Sequence, residues 1–239
     1  MFIWNDEMIR FMEDAAEYGD YHKKLAKMVH GYIPEAERIC DAGCGLGFLS
    51  LELSQYYMDI TAVDLSPKAI SVLEKNIERR GIGNIRPFSG DIHQMIPPKP
   101  YDSMVFCFFG QLEEILKIAR QQCKDSVIIV KRRAKQHAFV MGKIPGHWET
   151  SDFAAEYLKH HHIPYEEEVC GLEYGQPFKS LEDAVRFFEL YQREKIQGPI
   201  TGETVTEKLV KDPKGRFAYY LPFMKPFTMM KIHVNDLKI

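Results

Sequence analysis

The sequence Ile39-Cys-Asp-Ala-Gly-Cys-Gly-Leu-Gly47 carries most of the information about the fold. An apolar run leads into one acid and then into three glycines at alternate positions. The following residues, 48–56, have the apolar spacing of a helix. A glycine-rich turn between a strand and a helix lets a ligand approach the backbone, and the helix start offers free N–H groups. The stretch therefore predicts a ligand-binding strand–turn–helix unit.

The spacing of this turn separates two classes of ligand. The dinucleotide fingerprint G-x-G-x-x-G requires its third glycine at position 48, where this chain has Phe48. A carboxylate, Asp41, instead stands two residues before the first glycine. A carboxylate at this point repels a pyrophosphate and attracts a cationic ligand. The pattern therefore favours a sulfonium and ammonium compound such as S-adenosylmethionine over a dinucleotide.

Written as D-x-G-x-G-x-G, the turn resembles the cofactor-binding motif of the class I S-adenosylmethionine-dependent methyltransferases. Later segments repeat the order of this family, and the resemblance covers roughly residues 37–131. It implies that the turn binds S-adenosylmethionine, with the cysteine of the turn lending backbone contacts rather than thiol chemistry. The turn residues assigned to the cofactor in this way are Asp41, Gly43, Cys44, Gly45 and Gly47.

Two later acids complete the candidate cofactor site. A β-branched run ends in Asp64, where a carboxylate closing the next strand can accept both ribose hydroxyls. Dinucleotide folds place an acid at a similar spacing, so Asp64 alone does not discriminate between the two ligand classes. After the third predicted strand, the resemblance implies that Asp91 meets the adenine amino group and that Ile92 packs on the ring. The alternative for Asp91 is that it only caps a helix. The candidate set also includes Leu65 and Phe108.

The composition is ordinary for a globular protein of 239 residues, which is long enough for a sizeable core. Its 31 basic and 34 acidic residues are well mixed, and the net charge of −3 gives no electrostatic footprint of a nucleic-acid binder. The first residues lack the pattern of a signal peptide, and no stretch approaches about eighteen consecutive apolar residues, so we expect no membrane partner. Five cysteines without a C-x-x-C pair indicate free thiols and a cytoplasmic location.

Strand and helix patterns alternate through the middle of the chain. Apolar strands separated by helices indicate a parallel sheet covered on both faces. The resemblance extends this to an α/β fold: a doubly wound, mostly parallel, seven-stranded sheet that ends in an antiparallel hairpin. We predict one domain made of an N-terminal helical cap (1–34), a cofactor-binding core (35–131) and a remaining sheet edge (132–239) that carries a helical insertion at about 175–215. The cap and the insertion are expected to cover an acceptor pocket.

The end of the fourth predicted strand argues against two nucleic-acid chemistries. Cytosine-5 methyltransferases that resemble this fold place a nucleophilic cysteine after a proline, but here Phe106 precedes Cys107. Amino-group DNA methyltransferases carry Asn/Asp-Pro-Pro-Tyr/Phe at this point, and this chain has Cys-Phe-Phe-Gly at residues 107–110. A buried, inert thiol is therefore the better interpretation of Cys107.

Other polar clusters give weaker signals. The basic run Lys-Arg-Arg-Ala-Lys at residues 131–135 is typical of a solvated turn, with the alternative that one cation binds an anionic substrate. The three histidines at residues 160–162 suit the last turn of a helix, and no metal site is predicted because further ligands at defined spacing are not evident. Conceivable general bases are His22, His137 and His147, and no catalytic residue is assigned.

These patterns predict a methyltransferase that acts on a small-molecule acceptor by in-line displacement at the sulfonium methyl. The cofactor is already activated, so the protein mainly positions the nucleophile. The alternative is a protein that binds the cofactor without transferase activity, as a sensor or a partner subunit. A nucleotide-dependent dehydrogenase is disfavoured by Phe48 and Asp41. The sequence gives no prediction for the oligomeric state or for the identity of the acceptor.

Overall fold

The computed structural model describes residues 3–133, 139, 149–192 and 200–237. Its helices are α1 (Asp6–Tyr18), α2 (Tyr21–Tyr32), α3 (Phe48–Leu53), α4 (Pro67–Arg80), α5 (Leu112–Gln122), α6 (Ser151–His160), α7 (Leu181–Tyr191) and α8 (Gly202–Thr206). Its strands are β1 (Arg38–Ala42), β2 (Asp59–Asp64), β3 (Ile85–Ser89), β4 (Tyr101–Cys107), β5 (Cys123–Arg132), β6 (Glu166–Glu173), β7 (Gln176–Phe178), β8 (Val210–Lys211), β9 (Tyr219–Leu221) and β10 (Met224–His233).

Seven of these strands form one sheet in the order β3-β2-β1-β4-β5-β10-β6. The first five are paired in parallel, and β10 runs antiparallel to both β5 and β6. The strand order reverses between β1 and β4, and ligands of such sheets bind at the carboxyl ends of the strands beside this reversal. The predicted α/β fold is therefore confirmed, including the antiparallel hairpin at the sheet edge.

Local sequence signals explain why the elements begin and end where they do. Helix α4 starts at Pro67, after an N-cap at Ser66 whose hydroxyl accepts a hydrogen bond from the Ala69 N–H at 3.2 Å. The helix ends at Gly81, whose φ of 64° is the left-handed conformation that closes many helices. Helix α7 begins in the same way, after Ser180, whose hydroxyl accepts a hydrogen bond from the Asp183 N–H at 3.2 Å.

The two faces of the sheet carry separate apolar cores, because successive side chains of a strand point to opposite faces. On β1, Ile39 belongs to the core beneath α1 to α4, and Cys40 belongs to the core beneath α5 and α6. The same alternation divides Val105 from Phe106 on β4. All four side chains are fully buried. The sheet is thus covered on both faces, as the apolar strands require.

The insertion between β6 and β10 has a core shared with the N-terminal helices. Phe11 of α1 packs edge-on against Phe178 and Phe187, with ring centroids 6.1 Å and 5.0 Å apart, and all three rings are fully buried. The insertion was predicted to be helical. It contains α7 and α8 and also a small three-stranded sheet in the order β7-β9-β8. Its strands are only two or three residues long, too short for a clear period-two pattern in the sequence.

Candidate functional site

Four neighbouring strands bring polar and aromatic side chains to one edge of the sheet. Asp41 lies in β1 and Asp64 ends β2. Asp91 and Phe108 follow the ends of β3 and β4 within two residues. Because these strands are parallel neighbours, residues that are far apart in sequence meet around the glycine-rich turn.

The three glycines of the turn all adopt positive φ angles, of 71°, 56° and 75°. A Cβ at Gly43 would lie 2.2 Å from the Phe109 ring, and one at Gly47 would lie 2.4 Å from a methyl carbon of Leu73. A Cβ at Gly45 would meet nothing nearer than 3.6 Å. The outer glycines are therefore required for packing, whereas the Gly45 backbone borders open space into which a ligand fits.

Asp64 holds the turn through its two carboxylate oxygens. The Gly45 N–H donates to one oxygen at 2.9 Å, and the Ser66 N–H donates to the other at 2.9 Å. An ionised carboxylate has about four acceptor positions, so about two are left for a ligand. The same side chain thus shapes the turn and offers hydrogen-bond acceptors to the space beside it.

Asp41 lies below the turn, with only 1% of its surface exposed. Burial raises the pKa of its carboxyl to about 6, although the hydrogen bond that the Ser50 hydroxyl donates at 2.5 Å acts in the opposite direction. The nearby Asp64 also raises this pKa. Asp41 is therefore ionised at neutral pH and loses its charge in mildly acidic solution.

Two cavities adjoin the turn. The acidic cavity has a volume of about 390 Å³ and carries three carboxylates and the residues around the ends of β2, β3 and β4. Its lining comprises Trp4, Gly43, Gly45, Val63, Asp64, Leu65, Gly90, Asp91, Ile92, His93, Cys107, Phe108, Phe109, Gly110 and Glu114.

The aromatic cavity lies on the other side of the turn and has a volume of about 300 Å³. Six aromatic or imidazole rings line it, from the N-terminal segment, from α3, and from the ends of β4 and β6. Its lining comprises Trp4, Met12, Tyr21, His22, Asp41, Gly43, Cys44, Gly45, Leu46, Phe48, Leu49, Cys107, Phe108, Arg132, Tyr174 and Lys225. The two cavities meet at Trp4, Gly43, Gly45, Cys107 and Phe108.

Phe108 stands at this junction in a strained conformation. Its φ of 55° is in the left-handed region, which is uncommon for a residue that is not glycine. Its N–H donates to the Val130 carbonyl at 2.9 Å, which fixes the backbone beyond the end of β4. Strain of this kind costs about 1–3 kcal/mol and concentrates at functional sites. Here the backbone conformation places the Phe108 ring at the boundary between the two cavities.

Burial shifts the pKa values of the titratable side chains in the aromatic cavity toward their neutral forms. Burial, together with the charges of Lys225 and Arg80, lowers the pKa of His22 to about 3, so this imidazole is neutral at pH 7. Burial also lowers the pKa of Lys225 to about 8. Cys107 is a thiol rather than a thiolate, since burial raises its pKa to about 12. Among the described residues, no group of three or more His, Cys, Asp or Glu side chains is arranged to hold a metal ion.

Most residues predicted for the cofactor line one of the two cavities, and one does not. Those that line a cavity are Asp41, Gly43, Cys44, Gly45, Asp64, Leu65, Asp91, Ile92 and Phe108. Gly47 lines neither cavity and instead packs its α-carbon against Leu73 as the N-cap of α3. One oxygen of Asp91 accepts a hydrogen bond from the His93 N–H at 3.0 Å, which closes a turn rather than the start of a helix.

The basic run at residues 131–135 begins inside β5, so its first two residues are not part of a solvated turn. Lys131 is buried and donates to Glu149 at 2.5 Å and to the Gly110 carbonyl at 2.8 Å, so it holds the loop before α5 in place. Arg132 lines the aromatic cavity. Arg133 is exposed, and Lys135 lies outside the described residues, as do the conceivable bases His137 and His147.

The sequence interpretation missed several cavity residues, among them Tyr174, Lys225, Phe109 and Glu114. Tyr174 and Lys225 flank the insertion at the ends of β6 and the start of β10, and no motif surrounds either of them. Only the pairing of β10 with β5 and of β6 with β10 brings them to the cavity. Among the described residues of 175–215, none lines either cavity.

Comparison with known proteins agrees with this geometry. Residues 39–132 match the family described as a methyltransferase domain. A probable cobalt-precorrin-6B C(15)-methyltransferase (decarboxylating) from Methanothermobacter thermautotrophicus is 37% identical over 93 residues, which are 38% of this chain and 48% of that protein. A ribosomal protein L11 methyltransferase from Acetivibrio thermocellus is 35% identical over 69 residues, which are 28% of this chain and 22% of that protein.

The fold is also that of a solved methyltransferase. The crystal structure of a SAM-dependent methyltransferase from Aquifex aeolicus superposes with a TM-score of 0.54 and 14% identity, covering 71% of this chain and 94% of that one. Residues 39–132 thus match a methyltransferase domain, in support of the class I S-adenosylmethionine-dependent methyltransferase family. It spans about half or less of the length of these two curated relatives. In addition, no helix in the described part of the chain is both long and apolar enough to cross a membrane.

Proposed function

We propose that this protein is an S-adenosylmethionine-dependent methyltransferase that transfers a methyl group in line to a small-molecule acceptor. The observation that carries the proposal is the meeting of two cavities of different chemistry at one glycine-rich turn. One cavity has the polar groups that suit an adenosine, and the other has aromatic walls that suit an organic acceptor. Gly45 and Phe108, which belong to both, mark the place where the two ligands would meet.

The residues of the acidic cavity fit the polar groups of the cofactor. Asp64 would accept hydrogen bonds from the ribose hydroxyls with the acceptor positions that the turn leaves open. Asp91 would accept from the adenine amino group, and Leu65 and Ile92 would pack on the ring. The open space beside Gly45 suits close passage of the cofactor along the turn, with Cys44 offering backbone groups. The negative charge of Asp41 would favour the cationic end of the molecule.

The bound cofactor would supply a methyl group on a positively charged sulfur, which makes a neutral thioether the leaving group. The task of the protein is then to hold the acceptor atom in line and to exclude water. Trp4, Tyr21 and His22 from the N-terminal segment would do this from one side, and Tyr174 from the other. An acceptor that is deprotonated at neutral pH needs no base. We assign no catalytic base.

The volume and position of the aromatic cavity support a small acceptor. About 300 Å³ is at the lower end of the range for small-molecule sites. The names of the two relatives reported above cover a precorrin enzyme and a ribosomal-protein enzyme, so the acceptor class rests on the cavity and not on those names. We infer an enzyme that does not act on nucleic acid, on the evenly mixed charge of the sequence. We infer a cytoplasmic location without a membrane partner, on the five free cysteines and the lack of a long apolar stretch.

The test combines binding and transfer. Calorimetry with S-adenosylmethionine, S-adenosylhomocysteine and NAD should give micromolar-range binding of the first two and little of the third. The purified protein is then incubated with methyl-labelled cofactor and a metabolite extract, and labelled small molecules are sought by mass spectrometry. NAD binding without S-adenosylmethionine binding would overturn the proposal. Cofactor binding with no labelled product from any extract would favour the alternative of a cofactor-binding protein without transferase activity.

A further inference from the structure

Lys225 places an ammonium group inside the aromatic cavity. Its Nζ lies 3.8 Å from the centroid of the Phe108 ring, 4.6 Å from that of Tyr174 and 5.3 Å from that of Tyr21. Within the described part of the chain, no carboxylate forms an ion pair with it. Aromatic faces attract a cation, but this attraction replaces only part of the hydration that burial removes.

Arg132 adds a second cation on the same face of the sheet. Arg132 pairs with Phe227 across the antiparallel β5–β10 ladder, and Lys225 lies two residues before Phe227 on β10. Side chains of a cross-strand pair and of alternate residues share one face, so Arg132 and Lys225 are diagonal neighbours. Both line the aromatic cavity, and Arg132 is one of the groups that lower the pKa of Lys225. Two like charges brought together in this way favour an anion between them.

The hydrogen-bonding groups of the cavity point to the same kind of ligand. Tyr21 is only 5% exposed, and its hydroxyl has no hydrogen-bond partner among the described residues. A buried hydroxyl without a partner costs free energy that a ligand acceptor atom would recover. The one carboxylate in the described lining is Asp41, which lies below the turn and is occupied by the Ser50 hydroxyl. The wall formed by β10 therefore presents donors and positive charge.

We propose that Lys225 and Arg132 form an oxyanion subsite for the methyl acceptor, with the Tyr21 hydroxyl as a further donor. The acceptor is then a small molecule with a planar or apolar body and a carboxylate or phosphate group. The body lies against the aromatic walls, and the anion orients the acceptor atom toward the junction at Phe108. This inference rests on the proposed function, because it concerns the acceptor of that same site.

The experiment uses benzoate, phenyl phosphate and neutral benzamide as probes of the full-length protein saturated with S-adenosylhomocysteine. Ligand-observed NMR titrations should give at least about tenfold tighter binding of one or both anions than of benzamide, the scale of a hydrogen-bonded charge pair. The preferred anion identifies carboxylate or phosphate as the chemistry. Lys225→Met should remove the preference, and Lys225→Arg should retain it. Lys231→Met is the matched control, because Lys231 lies on the same strand with its Nζ 3.7 Å from Glu166.

Three outcomes would overturn the inference. If wild-type protein binds benzamide as tightly as it binds the two anions, it has no oxyanion subsite. If Lys225→Met keeps the anion preference, Lys225 has no role in binding the anion. Thermal unfolding of both Lys225 variants tests whether they are folded. The third outcome is that Lys225→Met weakens the binding of S-adenosylhomocysteine but not that of methylthioadenosine, which lacks the amino-acid part. The anion that Lys225 binds is then the carboxylate of the cofactor. If wild-type protein binds no S-adenosylhomocysteine, the proposed function itself fails, and the two failures are thus distinguishable.

Discussion

Replacing Asp64 by alanine should weaken cofactor binding while leaving the chain folded. In the structure, this carboxylate accepts hydrogen bonds from the Gly45 and Ser66 N–H groups, both at 2.9 Å. The proposed ribose contacts would use its other acceptor positions. The substitution would therefore remove the ribose contacts and also loosen the turn that the cofactor must follow. Both effects act in the same direction on affinity.

The magnitude follows from the hydrogen bonds that would be lost. A hydrogen bond to a charged group contributes about 1.5–3 kcal/mol, and solvent at this half-exposed site reduces that value. We expect a loss of about 1–3 kcal/mol in binding free energy, which is about 5- to 150-fold in the dissociation constant. Asp64→Asn keeps one acceptor oxygen and should give an intermediate loss.

The assay is calorimetric titration of wild-type and variant protein with S-adenosylhomocysteine. Asp59→Ala is the matched control, because Asp59 lies at the opposite end of the same strand and forms surface ion pairs with Arg38 and Arg86. It should bind the ligand like wild type. If Asp64→Ala binds S-adenosylhomocysteine as tightly as wild type, the assignment of this carboxylate to the ribose is wrong. Unfolding midpoints in urea for all variants separate a loss of affinity from a loss of fold.

Three further predictions concern the turn, the N-terminal helices and the thiol at the cavity junction. Gly47→Ala should lower the urea midpoint more than Gly45→Ala, because only the former Cβ clashes with a neighbour; equal losses would contradict this. Tyr18→Phe should destabilise the protein at neutral pH, and its difference from wild type should shrink as pH falls from about 4 to 2. Burial alone would raise the pKa of Asp212, but hydrogen bonds from the Tyr18 hydroxyl and three backbone N–H groups outweigh burial and lower this pKa to about 2. The hydrogen bonds to the ionised carboxylate therefore stabilise the fold above the ordinary pKa of an aspartate, and this stabilisation is lost in acid. Cys107 should resist iodoacetamide at pH 7.5 in a mass-spectrometric time course, whereas rapid alkylation would refute its burial-raised pKa.

The sequence was sufficient to predict the parts of the site that depend on local structure. Asp64 and Asp91 each end or follow a strand, and Ser66 caps the next helix, so a few neighbouring residues specify each position. Parallel neighbours then bring these strand ends together whatever the rest of the chain does. The roles proposed for Asp64 and Asp91 are still predictions, because the structure establishes their position and not their ligand.

Other parts could not be predicted, because their determinants are far apart in the chain. Lys225 approaches the Phe108 ring only because β10 pairs with β5. A long insertion precedes β10, and no local sequence pattern indicates that the chain returns to β5 after it. Trp4 enters both cavities from a segment whose sequence predicts only an amphipathic helix. The position of Gly47 outside both cavities has a different origin: a motif identifies which residues form the turn, but not which of them face a cavity.

The described part of the insertion is attached to the N-terminal helices. Arg10 of α1 forms an ion pair with Asp183 of α7 at 2.6 Å, and the Gln176 amide of β7 donates to the Phe11 carbonyl at 3.0 Å. The Tyr18 hydroxyl at the end of α1 donates to Asp212. These contacts attach α1 to the insertion along its whole length. Because the residues just before and after α1 line the aromatic cavity, any movement that admits an acceptor past α1 must also move the insertion or break these bonds. Through these contacts the described part of the insertion supports one wall of the aromatic cavity from behind.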